Sequence, residues 1–344
     1  MIKNKPYIIA EIGINHEGKI NYLTKLIYAA KRSGADAIKF QIFKAETLAD
    51  KNTKIKKYFY SKNKKETLYS MWKRLELDDR KLIEISKLSK ILKIDLIFSI
   101  FDVESLKRLS KIKFKFIKIA SSDINDFILL ENLKKIKKKF IISTGMANEK
   151  EIQKTINFIN KKNLFLLHCV SLYPCPPDKI NIYRMLSLNK KFKIKVGFSD
   201  HSIGINACLF ALSMGANIIE KHFTLNKKFD GPDHAISADE KDLKIICDFA
   251  KNIHHLKGSG IIKPTNDELK MKRIARKSIY AKKNIFKNEM FTKSNLEVRR
   301  PESFLEPALL NKIINKKSMR NIKSGKSLKI SDLKNLSIRQ IKGH

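Results

Sequence analysis

Two histidines stand at the ends of neighbouring apolar runs in this sequence. His201 follows the run "KIKVGFS" (193–199), and His222 lies within "NIIEKHF" (217–223). Neighbouring parallel strands bring their carboxyl ends to one edge, so these imidazoles can approach within ligand distance. Two imidazoles with open positions suit a catalytic divalent ion that acts as a Lewis acid. A single strand-end histidine is more often a hydrogen-bonded structural group, and only the pair favours a metal.

Lysines and hydroxyls form a second group. Lys39 and Lys118 lie in apolar runs, where a lysine cannot face a dry core without a partner. Lysines that converge on one mouth indicate an anion, and nearby hydroxyls supply uncharged donors to the same oxygens. The combination predicts a phosphate or carboxylate site. A single serine is better explained as a strand-end or helix-cap hydroxyl, but here there is a set: Ser99, Ser121, Ser143 and Ser199.

The elements that must position these residues are short apolar runs separated by segments with helical periodicity. Gly34 marks a predicted helix end and Asn148 a predicted helix start. Eight such βα units over about 255 residues predict a (β/α)8 barrel with its site where the strands end, although rhythm alone also allows an open doubly wound sheet. The strands are predicted at 7–12, 37–43, 95–101, 114–120, 139–145, 164–170, 193–199 and 217–223.

Two parts of the chain depart from this rhythm. Residues 44–78 far exceed the usual βα connection and indicate an excursion over the barrel mouth, either a lid or an insertion without function. Near the C-terminus, "NIFKNEMFTKSNL" (284–296) is repeated as "NIKSGKSLKISDL" (321–333). Two copies predict one small pseudo-symmetric domain. The predicted domains are a barrel at 1–262, a linker at 263–275 and a small domain at 276–344.

Composition limits the class of protein. Hydrophobic residues make up 43% of the 344 residues, which excludes disorder as the main state. No apolar run approaches a membrane span and the first residues lack a signal-peptide pattern, so a cytoplasmic protein is expected. The cysteines lack metal-type spacing, and Cys169 and Cys208 are interpreted as small hydrophobes. The net charge of +38 comes mostly from dispersed lysines, which indicates a solvated surface more than a nucleic-acid interface.

Ten motifs, in order along the chain, give the sequence a specific resemblance. It resembles the sialic acid synthase family, enzymes that condense phosphoenolpyruvate into nine-carbon 2-keto sugar acids. Family members have an α/β fold, a (β/α)8 TIM barrel, followed by a small antifreeze-like (SAF) domain, and the internal repeat lies where that domain is expected. The motifs are "IIAEIGINHEG", "SGADAIKFQ", "FIKIASSD", "STGMA", "LLHCVSLYP", "GFSDHS", "EKHFTL", "GPDH", "RKSIYAKKNI" and "VRRP".

The resemblance implies a reaction. Phosphoenolpyruvate condenses with N-acetylmannosamine and water to give N-acetylneuraminate (sialic acid) and phosphate, which makes the protein a C–C bond forming transferase. A divalent metal, Mn²⁺ or Mg²⁺, polarises the sugar aldehyde. The alternative within the class is an N,N'-diacetyllegionaminate or pseudaminate synthase, with the same chemistry on another acylated sugar. The alternative from another class is a basic binding protein on a barrel that has lost its activity.

The resemblance also implies roles for residues. His201 and His222 match the metal ligands, and Glu11 is expected to handle a proton of the sugar or of the attacking water. Arg300 matches an arginine that one subunit lends to the acyl group in its partner, which implies a domain-swapped homodimer. Positions around the reacting carbons match Glu11, Lys39, Gln41, Asp123, Tyr173 and Asp233. Phosphoenolpyruvate contacts match Lys39, Ser99, Lys118, Ser121, Ser143, Ser171 and Ser199. Sugar contacts match Gln41, Tyr173, Asp233 and Arg300.

Three segments depart from the family pattern. Ser99 stands where the family usually has threonine, and Ile100 stands where it has proline. Cys175 occupies a position where a small residue with a hydroxyl group, or alanine, is common. Glu302 follows "RRP" where a glycine-rich turn is usual, so the geometry around Arg300 is in question. These departures concern the far end of the substrate more than the reacting atoms.

Overall fold

The eight predicted strands close into a barrel in the computed structural model, which describes residues 5–52 and 66–334. All neighbouring strands pair in parallel, and β8 pairs with β1 to close the sheet. The closed barrel confirms the (β/α)8 prediction and excludes the open sheet. The strands are β1 (Tyr7–Gly13), β2 (Ala37–Ile42), β3 (Asp95–Ile100), β4 (Phe116–Ile119), β5 (Lys139–Ser143), β6 (Leu164–Cys169), β7 (Val196–Asp200) and β8 (Ile218–His222).

Helices follow the strands and cover the barrel. The predicted signals at both helix termini are confirmed: Gly34 ends α1 with a φ of 90°, and the Asn148 side chain accepts a hydrogen bond from the Glu151 amide at the start of α7. None of the helices within residues 5–52 and 66–334 is long and apolar enough to cross a membrane. The barrel helices are α1 (Ile20–Ser33), α2 (Ala45–Leu48), α3 (Leu68–Leu75), α4 (Asp79–Leu92), α5 (Val103–Arg108), α6 (Phe127–Lys134), α7 (Glu149–Ile159), α8 (Tyr183–Phe192), α9 (Asn206–Ser213) and α10 (Glu240–Lys257).

The inward-facing side chains of the barrel change from apolar to polar along the strands. One interior layer is apolar: Tyr7, Ile9, Ala37, Ile97, Phe116, Ile141, Leu167 and Ile218. Side chains two positions apart in a strand share a face, so the next layer toward the carboxyl ends holds Glu11, Lys39, Ser99, Lys118, Ser143, Cys169 and Glu220. Ser199 joins this polar layer from β7. The apolar layer therefore forms the floor of a polar site.

The excursion at 44–78 packs against the mouth of the barrel. It contains α2 and α3, and its residues 53–65 lie outside the described part of the chain. Met71 and Leu75 of α3 are fully buried in a cluster with Ile14 and Phe43, which follow β1 and β2. The excursion is thus anchored by apolar contacts above the first two strands.

The chain divides into two compact units, Met1–Gly258 and Ser259–His344. The elements of the second unit are α11 (Asn266–Ala275), which lies within the predicted linker, and β9 (Ser278–Ala281), β10 (Leu296–Arg299) and α12 (Leu310–Ile313). The two copies of the repeat exchange equivalent hydrogen bonds: Ile285 and Ile322 bond each other reciprocally, at 2.9 and 2.8 Å. Asn321 accepts from the Lys287 amide, and Asn284 accepts from the Ser324 amide. This reciprocity confirms the pseudo-symmetry predicted from the repeat.

Candidate active site

A cavity of about 480 Å³ lies at the carboxyl ends of the barrel strands. Glu11 is buried and reaches this cavity only through its neighbours, and Arg300 is exposed in the second unit, directly after β10. The other residues predicted for the site all line the cavity: Lys39, Gln41, Ser99, Lys118, Ser121, Asp123, Ser143, Ser171, Tyr173, Ser199, His201, His222 and Asp233. One cavity therefore unites predicted side chains from six strands and from the loops that follow β4, β6, β7 and β8.

Two buried lysines share the floor of the cavity with two carboxylates. Lys39 Nζ lies 2.8 Å from Glu11 Oε2 and 3.7 Å from Glu220 Oε2, and it donates to Ser99 Oγ at 2.8 Å. Lys118 Nζ donates to Ser143 Oγ at 2.7 Å and lies 4.0 Å from Glu220 Oε1. Because each lysine retains both a hydroxyl and a carboxylate neighbour, the charges can be buried without substrate.

Burial and these ion pairs shift the protonation of the four groups. Burial raises the pKa of Glu11 to about 7, and the nearby Lys39 only partly offsets that effect. Burial also favours the neutral form of Glu220, but Lys118 and Lys39 outweigh it and the pKa of Glu220 lies below its usual value. The pKa of Lys118 is lowered, mainly by burial, whereas the carboxylates outweigh burial and raise the pKa of Lys39. Of the two carboxyl groups beside the lysines, Glu11 is therefore the one that titrates near neutral pH.

Hydroxyls from two loops, those after β4 and β6, meet at Gly145. Ser121 Oγ accepts from the Gly145 amide at 3.0 Å. The Ser171 hydroxyl is buried and makes no hydrogen bond with any residue that the structure describes. A Cβ atom at Gly145 would lie 2.4 Å from Ser171 Oγ and 2.7 Å from Ser121 Oγ, so the absence of a side chain there keeps the space between the hydroxyls open. An oxyanion would fit this space and accept from the Ser171 hydroxyl.

The two strand-end imidazoles face each other across the cavity wall. The ring centroids of His201 and His222 are 5.4 Å apart. His201 Nδ1 donates to the Val170 carbonyl at 2.9 Å, so in the neutral ring the lone pair lies on Nε2. His222 Nδ1 is buried without a hydrogen bond to any described residue, and the nearest carboxylate, Asp233 Oδ2, is 3.5 Å away. Within the described ranges, no group of three or more His, Cys, Asp or Glu residues could hold a metal ion.

Four further predicted residues line the cavity. The Tyr173 ring packs on His201 with centroids 4.1 Å apart. Burial raises the pKa of Asp233 to about 6 and that of Asp123, at the end of β4, also to about 6. Gln41 donates to Glu11 Oε1 at 3.2 Å and so connects that buried carboxyl group to the cavity.

Two residues of the site were not assigned a role from the sequence. Glu220 shares a strand face with His222, so its inward direction was evident, but its pairing with both lysines depends on the closed barrel. Cys169 was interpreted as a small hydrophobe; it lines the cavity, with Sγ 3.7 Å from His201 Nδ1. Burial favours its thiol form, but His201 outweighs burial and the pKa of Cys169 lies below its usual value. The strand-end position of Cys169 was the available signal.

Comparisons with known proteins agree with this geometry. The NeuB family model matches residues 26–262. The N,N'-diacetyllegionaminic acid synthase of Campylobacter jejuni is 39% identical over 93% of this chain and 97% of its own length. The pseudaminic acid synthase of the same species is 36% identical over 95% and 96%. The solved structure of N-acetylneuraminic acid (sialic acid) synthetase from Leptospira borgpetersenii, in complex with citrate, has a TM-score of 0.70 at 32% identity and covers 78% of this chain and 90% of that one.

Proposed function

Since this chain belongs to the NeuB family, which includes sialic, legionaminic and pseudaminic acid synthases, we propose that it condenses phosphoenolpyruvate with an N-acylated aminosugar and water. The products are a nine-carbon 2-keto sugar acid and phosphate. The observation that carries the proposal is the convergence, in one cavity, of two buried lysines, a set of free or lysine-bound hydroxyls and two facing imidazoles. Each part fits one of the groups that must meet in this reaction.

The phosphate and carboxylate of phosphoenolpyruvate are assigned to the side of the cavity formed by β2 to β7. Lys118 and Lys39 supply the positive charge. Ser171 supplies a hydroxyl that makes no hydrogen bond with any described residue. The open space at Gly145 admits an oxygen between Ser121 and Ser171. Ser99, Ser143 and Ser199 hold the lysines and Glu220 in place by hydrogen bonds.

The residues at the ends of β7 and β8 fit a divalent ion. His201 presents Nε2 because its other nitrogen donates to a backbone carbonyl, the arrangement that orients metal-bound histidines. The buried His222 Nδ1 makes no hydrogen bond with any described residue, so its lone pair would be available to a metal ion. His201 and His222 would hold Mn²⁺ or Mg²⁺, with Mn²⁺ favoured because Mg²⁺ prefers all-oxygen sites. When bound, the ion would polarise the aldehyde of the acceptor sugar.

Glu11 is assigned the proton transfer. A pKa of about 7 suits a group that must both take up and return a proton at neutral pH. Lys39 lies in the cavity wall and is ion-paired to Glu11, so Lys39 can pass one of its protons to the Glu11 carboxylate and then take up the proton released in the cavity. Tyr173 and Asp233 bracket the imidazoles and are assigned to position the sugar aldehyde. Asp123 and Gln41 are assigned to the reacting carbons and the sugar hydroxyls.

The class of acceptor sugar is inferred from the part of the cavity wall that follows β1 to β3. This wall is apolar, and it is formed by Ile14, Leu48, Leu68, Trp72 and Phe101. Such a wall suits a sugar with more methyl and acyl groups than N-acetylmannosamine carries. N,N'-diacetyllegionaminic acid, the product named for the relative with 39% identity, contains two acetyl groups. We therefore favour a diacylated acceptor over the single-acyl acceptor of sialic acid synthesis.

The test is phosphate release from phosphoenolpyruvate with Mn²⁺ and a panel of mono- and diacetylated aminosugars. The proposal requires release with at least one sugar and a higher kcat/KM for a diacetylated one. Trp72→Ala should raise KM for the diacetylated sugar and leave KM for phosphoenolpyruvate unchanged. No release with any sugar would refute the synthase, while a preference for N-acetylmannosamine would refute only the choice of acceptor.

We also propose that the second unit is an SAF domain, that Arg300 binds the acyl group in the partner of a swapped homodimer, and that the protein works in the cytoplasm. A mixing experiment tests the exchange. His222→Ala and Arg300→Ala subunits, each inactive alone, should regain about a quarter of wild-type activity when co-expressed, because half of the dimers then contain one intact composite site. No recovery would place Arg300 in its own subunit's site or outside any site.

A further inference from the structure

A buried ion pair lies directly behind the two imidazoles. Lys221 Nζ is 2.8 Å from Asp200 Oδ2, and the two side chains are 0% and 1% exposed. Asp200 precedes His201 in the chain and Lys221 precedes His222. Because successive strand residues point to opposite faces, the charged pair lies on the outer face of the barrel wall while the imidazoles face the cavity.

Further hydrogen bonds to the pair come from Ser202, after β7, and from helix α9. Asp200 Oδ1 accepts from the Ser202 amide at 2.8 Å and from its hydroxyl at 2.7 Å. Cys208 of α9 donates to Asp200 Oδ2 at 3.2 Å. Lys221 also donates to the Ser202 carbonyl. Neither Asp200 nor Lys221 lines the cavity, so neither is placed to touch substrate.

Asp200 and Lys221 stand opposite each other at the last paired position of β7 and β8. His201 and His222 come immediately after this position. Beyond this position the β7–β8 pairing no longer fixes the distance between the two backbones. The ion pair therefore joins β7 to β8 at the last paired position before the two histidines. The bond from Lys221 to the Ser202 carbonyl extends this connection past His201.

We propose that the Asp200–Lys221 ion pair is a positioning device that fixes the spacing of His201 and His222. The inference rests on the proposed metal site. Barrel stability alone does not call for charges here, because two apolar residues of similar volume would fill the space without losing the hydration of two ions. The ion pair differs from apolar residues because its hydrogen bonds are directional. Asp200 holds both Lys221 and the Ser202 backbone at defined distances.

The test compares Mn²⁺ affinity with stability. Removing one charge would leave the other buried without a partner. The informative variant is therefore the double substitution Asp200→Asn with Lys221→Met. It leaves no unpaired charge and keeps a side-chain oxygen that accepts from Ser202. We expect this variant to fold, as judged by circular dichroism and a cooperative melt. Its Kd for Mn²⁺, measured by the electron paramagnetic resonance signal of free Mn²⁺, should rise about 10- to 100-fold, the usual effect of losing supporting residues of a metal site.

A matched control removes a barrel hydrogen bond at the opposite end. Tyr7→Phe deletes the 2.6 Å bond to Asp95 between β1 and β3 and should lower the melting temperature without changing the Kd for Mn²⁺. A folded double variant with wild-type Mn²⁺ affinity would overturn the positioning role. Wild-type protein that binds no Mn²⁺ would overturn it together with the metal site. Wild-type protein that binds Mn²⁺ but releases no phosphate would refute the proposed reaction alone.

Discussion

Adding one methyl group at Gly145 should block the anion site. The Cβ of alanine would lie 2.4 Å from Ser171 Oγ and 2.7 Å from Ser121 Oγ, well inside contact distance. Both hydroxyls can relieve the clash only by rotating away from the space that they share. A hydrogen bond to a charged group contributes about 1.5–3 kcal/mol, so losing both would cost about 3–6 kcal/mol. KM for phosphoenolpyruvate should then rise roughly 10²- to 10⁴-fold.

Phosphate release measured across phosphoenolpyruvate concentrations gives KM and kcat for Gly145→Ala. A double-mutant cycle with Ser171→Ala identifies the cause. If the methyl group acts by displacing the Ser171 hydroxyl, Ser171→Ala should cost much less in the Gly145→Ala background than in wild type. The melting temperature serves as the control, because a loss of fold would also lower activity. An unchanged KM for Gly145→Ala, or fully additive effects in the cycle, would refute the assignment of these hydroxyls to the substrate anion.

Four more predictions concern His222, the pH dependence of stability, the pH dependence of kcat/KM, and the net charge. His222→Ala should lower kcat at least about 10²-fold and weaken Mn²⁺ binding while the melting temperature is retained; a fully active variant would remove His222 from the metal site. Between pH 4.5 and about 7, the native state keeps a proton on Glu11 that the unfolded state has lost. The free energy of unfolding should therefore fall as pH rises across this window. Chemical denaturation of Glu11→Gln should show a smaller dependence on pH. If Glu11 acts as the base, kcat/KM should rise through about pH 7 in wild type only. Turnover should need no nucleic acid, whereas a protein whose task is nucleic-acid binding would bind tightly with a steep loss of affinity as salt rises.

The strand positions and the inward direction of the site residues were predictable because both depend on local pattern. Apolar runs of strand length marked all eight strands, and the period of two placed Lys39 with Gln41 and Glu220 with His222 on common faces. The burial of Glu11 was not predictable. It depends on closure of the barrel, which puts β8 beside β1 and Glu11 opposite both His222 and Lys39.

The sequence alone determined the eight βα units, the repeat in the second unit and the set of chemical groups, since each is encoded by local periodicity or by residue type. Tertiary structure decided how those groups share charge and space. Glu220 became the partner of two lysines, Cys169 entered the cavity wall beside His201, and Asp200 turned away from the cavity to pair with Lys221. These outcomes depend on distances between strands far apart in the chain, and such distances are fixed only when the sheet closes and its helices pack around it.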